Sequence, residues 1–390
     1  MNYSTRYKLK ERPAIGWGAL IALGLYFVIS IFEGYLNGVF GSLTKYYIFV
    51  VMFFLVFKQS FKLKMTHLSW IYIWWLLYKF MSLLWTEDMS TFKLHMLSQI
   101  GMVVFLVVLL SAQWDYKTMS FLLGVYWCAS ILMGVLSILF SESYHGVFEA
   151  RQVLIIAGVE IDPNNLAALM LVGIAISLAN VLYEKKHRIV SLIGLVINVY
   201  ACFSTASRSS FVTMVAGAAF CCFYSTDTKK IGPLLARIGT IGFSILLIYY
   251  LAMRFLPEDS FSRVFDLSGY EGGSGRGELW EGAIGLFLRD PFTFFLGAGW
   301  GTSVLYNETT TGLHNTFIEM LCDVGLLGTM LFMFPVIVIA IRLLKKKKPT
   351  VVLLLGSQFI PSFFIGAINK RFFWNAIFLL FMAYYQSLEE

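Results

Sequence analysis

The chain has 390 residues, of which 58% are hydrophobic and 14% are charged. A soluble globular domain has about a quarter of its residues charged, and the mean hydropathy here is +0.74, so the composition excludes a soluble protein. The net charge of +7 does not indicate nucleic-acid binding, because the basic residues are spread among short loops rather than gathered on one face.

Hydrophobic runs of membrane-spanning length recur along the whole chain. A spanning helix needs about 20 largely apolar residues. The sequence predicts twelve spans, at roughly 15–33, 39–57, 66–85, 96–113, 118–140, 164–183, 189–203, 209–224, 235–255, 317–341, 351–368 and 372–386. We therefore predict an all-α polytopic membrane protein in which residues 1–390 form a single integral membrane domain.

The basic residues predict the orientation of these spans. With a cytoplasmic N-terminus, more than half of the 30 Lys and Arg residues fall in the inner segments. The positive-inside rule therefore favours both termini in the cytoplasm. The five cysteines all fall in or at predicted spans and show neither disulfide nor zinc spacing, which favours simple packing between helices.

Two loops on the predicted outer side are longer than the rest, a medium loop at 141–163 and a large one at 256–316. Structureless loops of the latter length are uncommon and usually functional. Within it, acidic residues at the start and Arg289 at the end suit a helix dipole, and Asp290-Pro291 would end the helix. The apolar residues recur at helical spacing, at Leu279, Trp280, Ala283, Ile284, Phe287 and Leu288. We predict a short amphipathic helix over 278–289 on the outer membrane surface, serving a site or only anchoring the loop.

The predicted span 164–183 opens with Asp162-Pro163-Asn164-Asn165. Aspartate at the N-cap with proline at the first helical position is the expected start of a helix. That structural role explains Asp162 and Pro163. Asn164 and Asn165 are therefore the candidates for functional polar groups at the outer mouth of the bundle.

Two arginines are candidates for binding an anion. Arg208 lies between serines in the tight connection of two spans, where an arginine is costly unless it reaches headgroups, water or an anion. Arg276 precedes Trp280 by four residues, so the two side chains share one face if the segment is helical. Arginine binds phosphate bidentately and keeps its charge. The alternatives are a snorkelling side chain for Arg208 and a solvated loop residue for Arg276.

His314 stands where the large loop meets the span 317–341. The segment 309–312 suits a cap for a helix that begins near Asn315, and a helix N-terminus disfavours a protonated histidine. A neutral imidazole can serve as a general base. The alternative is a histidine that only hydrogen-bonds the loop.

Asn315, Glu319 and Asp323 recur every four residues and form one stripe. Carboxylates within a membrane rarely face lipid, so the stripe should face the bundle interior. It would orient His314, bind a substrate hydroxyl, or hydrogen-bond a neighbouring helix. The large loop has no Asp-x-Asp pair for a metal on a nucleotide sugar, and no glycine-rich loop has nucleotide-binding spacing. We predict neither a metal nor a cofactor.

Taken in order, these segments resemble the O-antigen ligase and polymerase family, integral membrane glycosyltransferases that use polyprenyl-diphosphate-linked glycans. The resemblance covers roughly residues 150–340, and Ser209 departs from it because a glycine is commoner there. The matching segments are Asp162-Pro-Asn-Asn-Leu-Ala167, Ser207-Arg-Ser209, Ser274-Gly-Arg-Gly-Glu-Leu-Trp280, Gly297-Ala-Gly-Trp-Gly301, His314-Asn315 and Asp323-Val-Gly-Leu-Leu-Gly328.

This resemblance implies that Arg208 and Arg276 bind the diphosphate of the lipid donor and that His314 acts at the acceptor. Because two arginines can neutralise the leaving diphosphate without a metal, we predict a single in-line displacement with inversion. Supporting roles would fall to Trp280, Asn164, Asn165, Asn315 and Glu319. The implied partners are an undecaprenyl-diphosphate-linked oligosaccharide, a glycan acceptor, membrane lipids and other polysaccharide-assembly proteins, but no nucleic acid. The implied location is the bacterial cytoplasmic membrane, with an extracytoplasmic active site.

Three functions stay open from the sequence. A polymerase of capsule, exopolysaccharide or O-antigen is favoured, because nothing indicates a dedicated anchor-binding domain. A ligase that attaches the chain to lipid A core or another anchor is the second. A transporter of the same lipid is the third, although transporters commonly show two related halves with midplane sites, and the candidate residues here cluster in the second half.

Overall fold

A computed structural model describes residues 15–41, 43–58, 63–87, 89–143, 151–224, 276–304 and 312–389, together with isolated positions between 232 and 254. The described helices are α1 (Trp17–Phe40), α2 (Leu43–Lys58), α3 (His67–Met81), α4 (Met89–Ser111), α5 (Tyr116–Leu139), α6 (Pro163–Ala179, continued by a π-helical turn, Asn180–Glu184), α7 (Arg188–Ser204), α8 (Arg208–Tyr224), α9 (Arg276–Phe287), α10 (Pro291–Leu296), α11 (Thr316–Lys345), α12 (Pro349–Phe359) and α13 (Arg371–Glu389).

Each predicted span overlaps a described helix except for 235–255, most of which lies outside the described residues, and α12 ends at Phe359 within the predicted span 351–368. Side-chain caps fix several of the starts: Thr66 accepts a hydrogen bond from the Ser69 amide at α3, and Asp115 from the Thr118 amide at α5. Four described segments are long and apolar enough by themselves to cross a membrane: Trp17–Phe40, Tyr116–Leu139, Pro163–Glu184 and Thr316–Lys345. The helical membrane class is therefore supported, and the number of about twelve spans stays a prediction.

The core of the bundle lies around α13. Residues 371–383 of this helix are buried on every side, as expected for a helix that is apolar all round. Its Trp374 packs 6.0 Å from Trp75 of α3 and 5.5 Å from Phe332 of α11, measured between ring centres. These aromatic contacts hold α3 and α11 in fixed positions, which matters because both helices reach the candidate site.

The predicted medium loop 141–163 is not purely loop. It contains a small antiparallel sheet of β1 (Ser141–Ser143), β2 (Gln152–Ile156) and β3 (Val159–Glu160), in the order β1-β2-β3. The sheet packs on the end of α1, where Tyr35 donates a hydrogen bond to the Leu154 carbonyl at 2.8 Å. Because β2 begins directly after Arg151, the sheet also places that arginine at the start of α6.

Helix α11 is broken at Gly325, whose φ of 63° and ψ of −173° are not helical. Such a break frees carbonyl groups that a membrane protein must satisfy internally. The segment Gly297–Gly301 does this: the amides of Ala298 and Gly299 donate to the carbonyls of Cys322 (2.7 Å) and Asp323 (3.1 Å). Tyr78 of α3 donates to the Val324 carbonyl at 3.1 Å. The glycine cluster therefore fastens the large loop to the kink of α11.

Replacing Gly325 with alanine is expected to destabilise the protein by about 3 kcal/mol or more, from backbone strain and overpacking together. A Cβ at this position would lie 2.5 Å from the Phe295 carbonyl oxygen and the Gly297 nitrogen. The measurement is the midpoint of thermal unfolding in detergent. Gly124→Ala in α5 is the matched control, since its Cβ would meet nothing within 4 Å and alanine favours a helix. Equal midpoints for the two variants would contradict the prediction.

Candidate active site

The backbone holds His314 from both sides, while its side chain remains exposed. On one side the buried Leu313 accepts a hydrogen bond from Trp280. On the other, Asn315 is the N-cap of α11, and its side-chain oxygen accepts hydrogen bonds from the amides of Phe317 and Ile318, both at 3.1 Å. Asn315 is thus the N-cap of a helix that begins where predicted, and residues 309–311 of the predicted capping segment lie outside the described residues. His314 itself has a φ of 49°, a left-handed conformation that turns the chain into the helix.

Helix α9 carries the second group of predicted residues to the same place. The Trp280 indole donates to the Leu313 carbonyl at 2.9 Å, and Ala283 packs on α11, where its carbonyl accepts from the Cys322 thiol at 3.0 Å. Arg276, one turn before Trp280, is half-buried at the start of the helix. Its charge acts on His314. The structure therefore brings Arg276, Trp280 and His314 together.

The predicted amphipathic helix is confirmed as a helix, but its buried face differs from the prediction. Ala283 and Leu286 are the buried residues, and Leu279 and Phe287 are partly buried against them. Ile284 and Leu288 of the predicted face are exposed. The reason is tertiary, because α9 packs on the side of α11 at Cys322. Its place at a membrane surface stays a prediction.

The start of α6 forms a third part of the site. Asp162 caps this helix with Pro163 at its first position, as predicted, and its carboxylate accepts hydrogen bonds from the amides of Asn164 and Asn165. The side-chain oxygen of Asn164 accepts from the Arg151 guanidinium (3.0 Å) and the Ser207 hydroxyl (2.9 Å). Asn165 is partly exposed beside it. Asn164 therefore joins elements rather than standing open at the mouth.

Arg208 is brought to this region by the same contacts. It is the first residue of α8 and is half-buried. The preceding Ser207 contacts Asn164, and Arg151, buried with 5% exposure, donates to the Thr205 carbonyl at 3.0 Å. Arg151 thus links β2, the start of α6 and the turn before α8. The sequence does not indicate this role for Arg151, because the link to Thr205 joins residues 54 positions apart.

The helices α6, α8 and α11 therefore begin at one end of the bundle, which we term the His314 end. The polar stripe of α11 turns away from His314 there. Asp323 is buried and accepts hydrogen bonds from the amides of Gly301 (2.9 Å) and Ser303 (3.0 Å). Glu319 faces Lys79 of α3. Asp323 and Asn315 thus have structural roles, and the described charges that act on His314 come from Arg276 and Asp162.

The surroundings of His314 favour its neutral form. Partial burial lowers the pKa of the imidazole, the Arg276 guanidinium lowers the pKa further, and the Asp162 carboxylate opposes both. Both charged neighbours belong to helix starts, so the fold fixes their positions. A histidine with a pKa below its ordinary value is unprotonated at neutral pH and can accept a proton.

Replacing Asp162 with asparagine is expected to shift the acid limb of the pH–rate profile to lower pH. Asp162 raises the pKa of His314, so removing its charge lowers that pKa and keeps the base neutral in more acidic solution. Asparagine also caps helices well, so α6 should remain intact. The profile of kcat/KM against pH checks the direction. An acid limb that moved to higher pH, or stayed in place, would contradict the contribution of Asp162.

Comparison with known families adds to this geometry. Residues 193–333 match a protein family model described as O-antigen ligase. The family resemblance predicted from the sequence is thereby confirmed, and the match contains Arg208, Arg276 and His314 but not Asn164. At family level it supports a membrane glycosyltransferase of the O-antigen ligase and polymerase type. No curated protein is significantly similar to the chain.

Proposed function

We propose that the protein transfers a glycan from a polyprenyl-diphosphate carrier to an acceptor hydroxyl, on the extracytoplasmic face of the bacterial cytoplasmic membrane. The observation that carries the proposal is the environment of His314: the imidazole has a lowered pKa and lies in the field of Arg276. Arg208 begins α8, and the preceding Ser207 donates a hydrogen bond to Asn164 at the start of α6. These three residues fall within the segment that matches the O-antigen ligase family.

The proposed chemistry divides the reaction between the arginines and the histidine. Arg208 and Arg276 neutralise the diphosphate, which makes it a good leaving group without a metal. His314 accepts the proton of the acceptor hydroxyl as its oxygen bonds to the anomeric carbon. The bond from that carbon to the diphosphate breaks, and its electron pair leaves with the polyprenyl diphosphate. One in-line displacement inverts the anomeric configuration.

We infer that the acceptor is a second lipid-linked repeat unit, which makes the protein a polymerase of a surface polysaccharide. The inference rests on the sequence, in which nothing indicates a separate domain for a lipid A core or another anchor. The ligase is the second candidate, because the matching family model is described as O-antigen ligase. The two reactions share the donor and the base and differ in the acceptor.

One experiment separates these functions. Purified protein in liposomes is given the undecaprenyl-diphosphate-linked oligosaccharide of the native host, and the glycan products are sized on a gel. A ladder of regular steps supports the polymerase. Label that moves only to an added lipid A core or other anchor supports the ligase. Folded protein that forms neither product would overturn the proposed transfer and favour the transporter.

A further inference from the structure

A second polar cluster lies at the His314 end, on the side of α11 that faces α3. Its centre is Lys79 in the last turn of α3, which is only 4% exposed. The ammonium nitrogen lies 3.8 Å from the ring centre of Trp300 and 4.8 Å from that of Trp75. Such cation–π contacts hold a charge in place but use none of its hydrogen-bond donors. Among the described residues, none accepts a hydrogen bond from the Lys79 ammonium.

Two carboxylates lie within electrostatic range of Lys79, and they differ in what already binds them. Both oxygens of Asp323 accept backbone amides, from Gly301 and Ser303. Glu319 is partly exposed, and its carboxylate receives no hydrogen bond from the described part of the chain. Its Oε2 borders Gly366, at 3.4 Å from where a Cβ would stand. The Lys79 ammonium and the Glu319 carboxylate thus keep unused donors and acceptors within electrostatic range of each other.

The neighbouring helix α4 adds a further unused acceptor. The Gln99 amide nitrogen donates to the Ile368 carbonyl (2.9 Å) and the Asn369 side chain (2.6 Å), which ties α4 to the segment before α13. The Gln99 side-chain oxygen is buried and has no hydrogen-bond partner in the described part of the chain. Buried polar groups are normally paired, and each unmade hydrogen bond is costly. An unpaired buried group of this kind is expected to find its partner in a bound water, ion or polar ligand.

The start of α11 separates this cluster from the proposed donor site. Arg276 and Asp162 act on His314 from α9 and α6, whereas Glu319, one turn into α11, lies within electrostatic range of Lys79 of α3. In an in-line transfer the acceptor and the leaving group lie on opposite sides of the reacting carbon. A base at the start of α11 would then stand between two substrates, each held on its own side.

We propose that Lys79 and Glu319 form the acceptor subsite of the enzyme and bind hydroxyl groups of the acceptor glycan. This inference rests on the proposed glycan transfer and adds the place of its second substrate. The Glu319 carboxylate accepts hydrogen bonds from sugar hydroxyls, and the Lys79 ammonium donates to a neighbouring sugar oxygen. Trp300 and Trp75 fix the lysine, so that it does not have to be ordered when the glycan binds.

Equilibrium binding to purified full-length protein tests the subsite without requiring turnover. The acceptor probe is the lipid-free repeat-unit oligosaccharide of the native host, and the donor probe is undecaprenyl diphosphate. Glu319→Gln, which is isosteric, and Lys79→Met are expected to weaken oligosaccharide binding at least tenfold. Both should bind undecaprenyl diphosphate as the wild type does. Asp323→Asn is the control for a structural role and should lower the thermal midpoint without a selective loss of oligosaccharide binding.

Two outcomes would overturn the subsite. One is a Glu319→Gln variant that binds the oligosaccharide like the wild type, and the other is an equal loss of both probes. Failure of the whole function looks different, because the wild-type protein would then yield neither a ladder nor an anchored product in liposomes. A wild type that transfers glycan, with an unaffected Glu319→Gln variant, would reject only the acceptor subsite.

Discussion

Replacement of His314 by asparagine is expected to lower the turnover number of glycan transfer by about 10²–10⁴-fold, the range that a general base contributes. The loss falls on kcat because the imidazole acts on the acceptor proton as the new bond forms. Asparagine is the informative substitution, since it tolerates the left-handed backbone at this position while it removes the base. Alanine would also strain the turn, where φ is 49°.

Steady-state kinetics with separate titration of donor and acceptor measures this effect. His67→Ala is the matched control, because His67 is exposed at the start of α3 and far along the chain from the site. It should transfer glycan at the wild-type rate. A purified, folded His314→Asn variant with a turnover number near that of the wild type would remove His314 from the mechanism.

The helical part of the fold was largely predictable, because a membrane span is encoded by an uninterrupted apolar run of known length. The helix over Arg276–Phe287 could be located from its spacing and its charged ends. Its buried face could not be, because that depends on how α9 meets Cys322 of α11. Periodicity within one segment carries no information about the partner helix.

The small sheet was missed although it left a signal in the sequence. Its last two strands are joined by Ala157-Gly158, both with positive φ, between short β-branched runs. A two-residue turn that ends in glycine between such runs is a recognised hairpin pattern. The segment was predicted only as a medium loop, and strands of two to five residues give a weak periodic pattern.

Lys79 could not have been found from the sequence alone. It stands in the last turn of a predicted span, where a lysine usually extends its ammonium to the membrane surface. Its partners come from elsewhere in the chain: Trp300 from the glycine-rich segment and Glu319 from α11. The amides of that segment satisfy the carbonyls at the break of α11, and the Trp300 amide donates to Ser82 at the end of α3. Because this cluster forms where distant segments of the chain meet, no local sequence pattern indicates it.

Replacement of Arg276 by alanine is expected to abolish detectable transfer, through loss of donor binding and of charge neutralisation on the leaving group. Removing one group that stabilises developing charge costs about 10²–10³-fold in rate, and lost ground-state binding adds to this. Arg289→Ala, just after the end of α9, is the matched control. Arg289 is exposed and pairs with Asp290 at the surface, where an ion pair contributes little. Binding of undecaprenyl diphosphate should fall for Arg276→Ala and remain unchanged for Arg289→Ala.

Arg276 also lowers the pKa of His314. The effect of its charge can therefore be measured separately from the effect of its bidentate geometry. Removing the guanidinium takes away one cause of the lowered pKa of His314, so the acid limb of any residual activity should move to higher pH. Arg276→Lys keeps the charge but loses the bidentate contact with phosphate. It should therefore raise the KM for the donor while leaving the acid limb near its wild-type position. An Arg276→Ala variant that binds undecaprenyl diphosphate normally, yet has a shifted acid limb, would limit Arg276 to tuning the base and leave the diphosphate to Arg208.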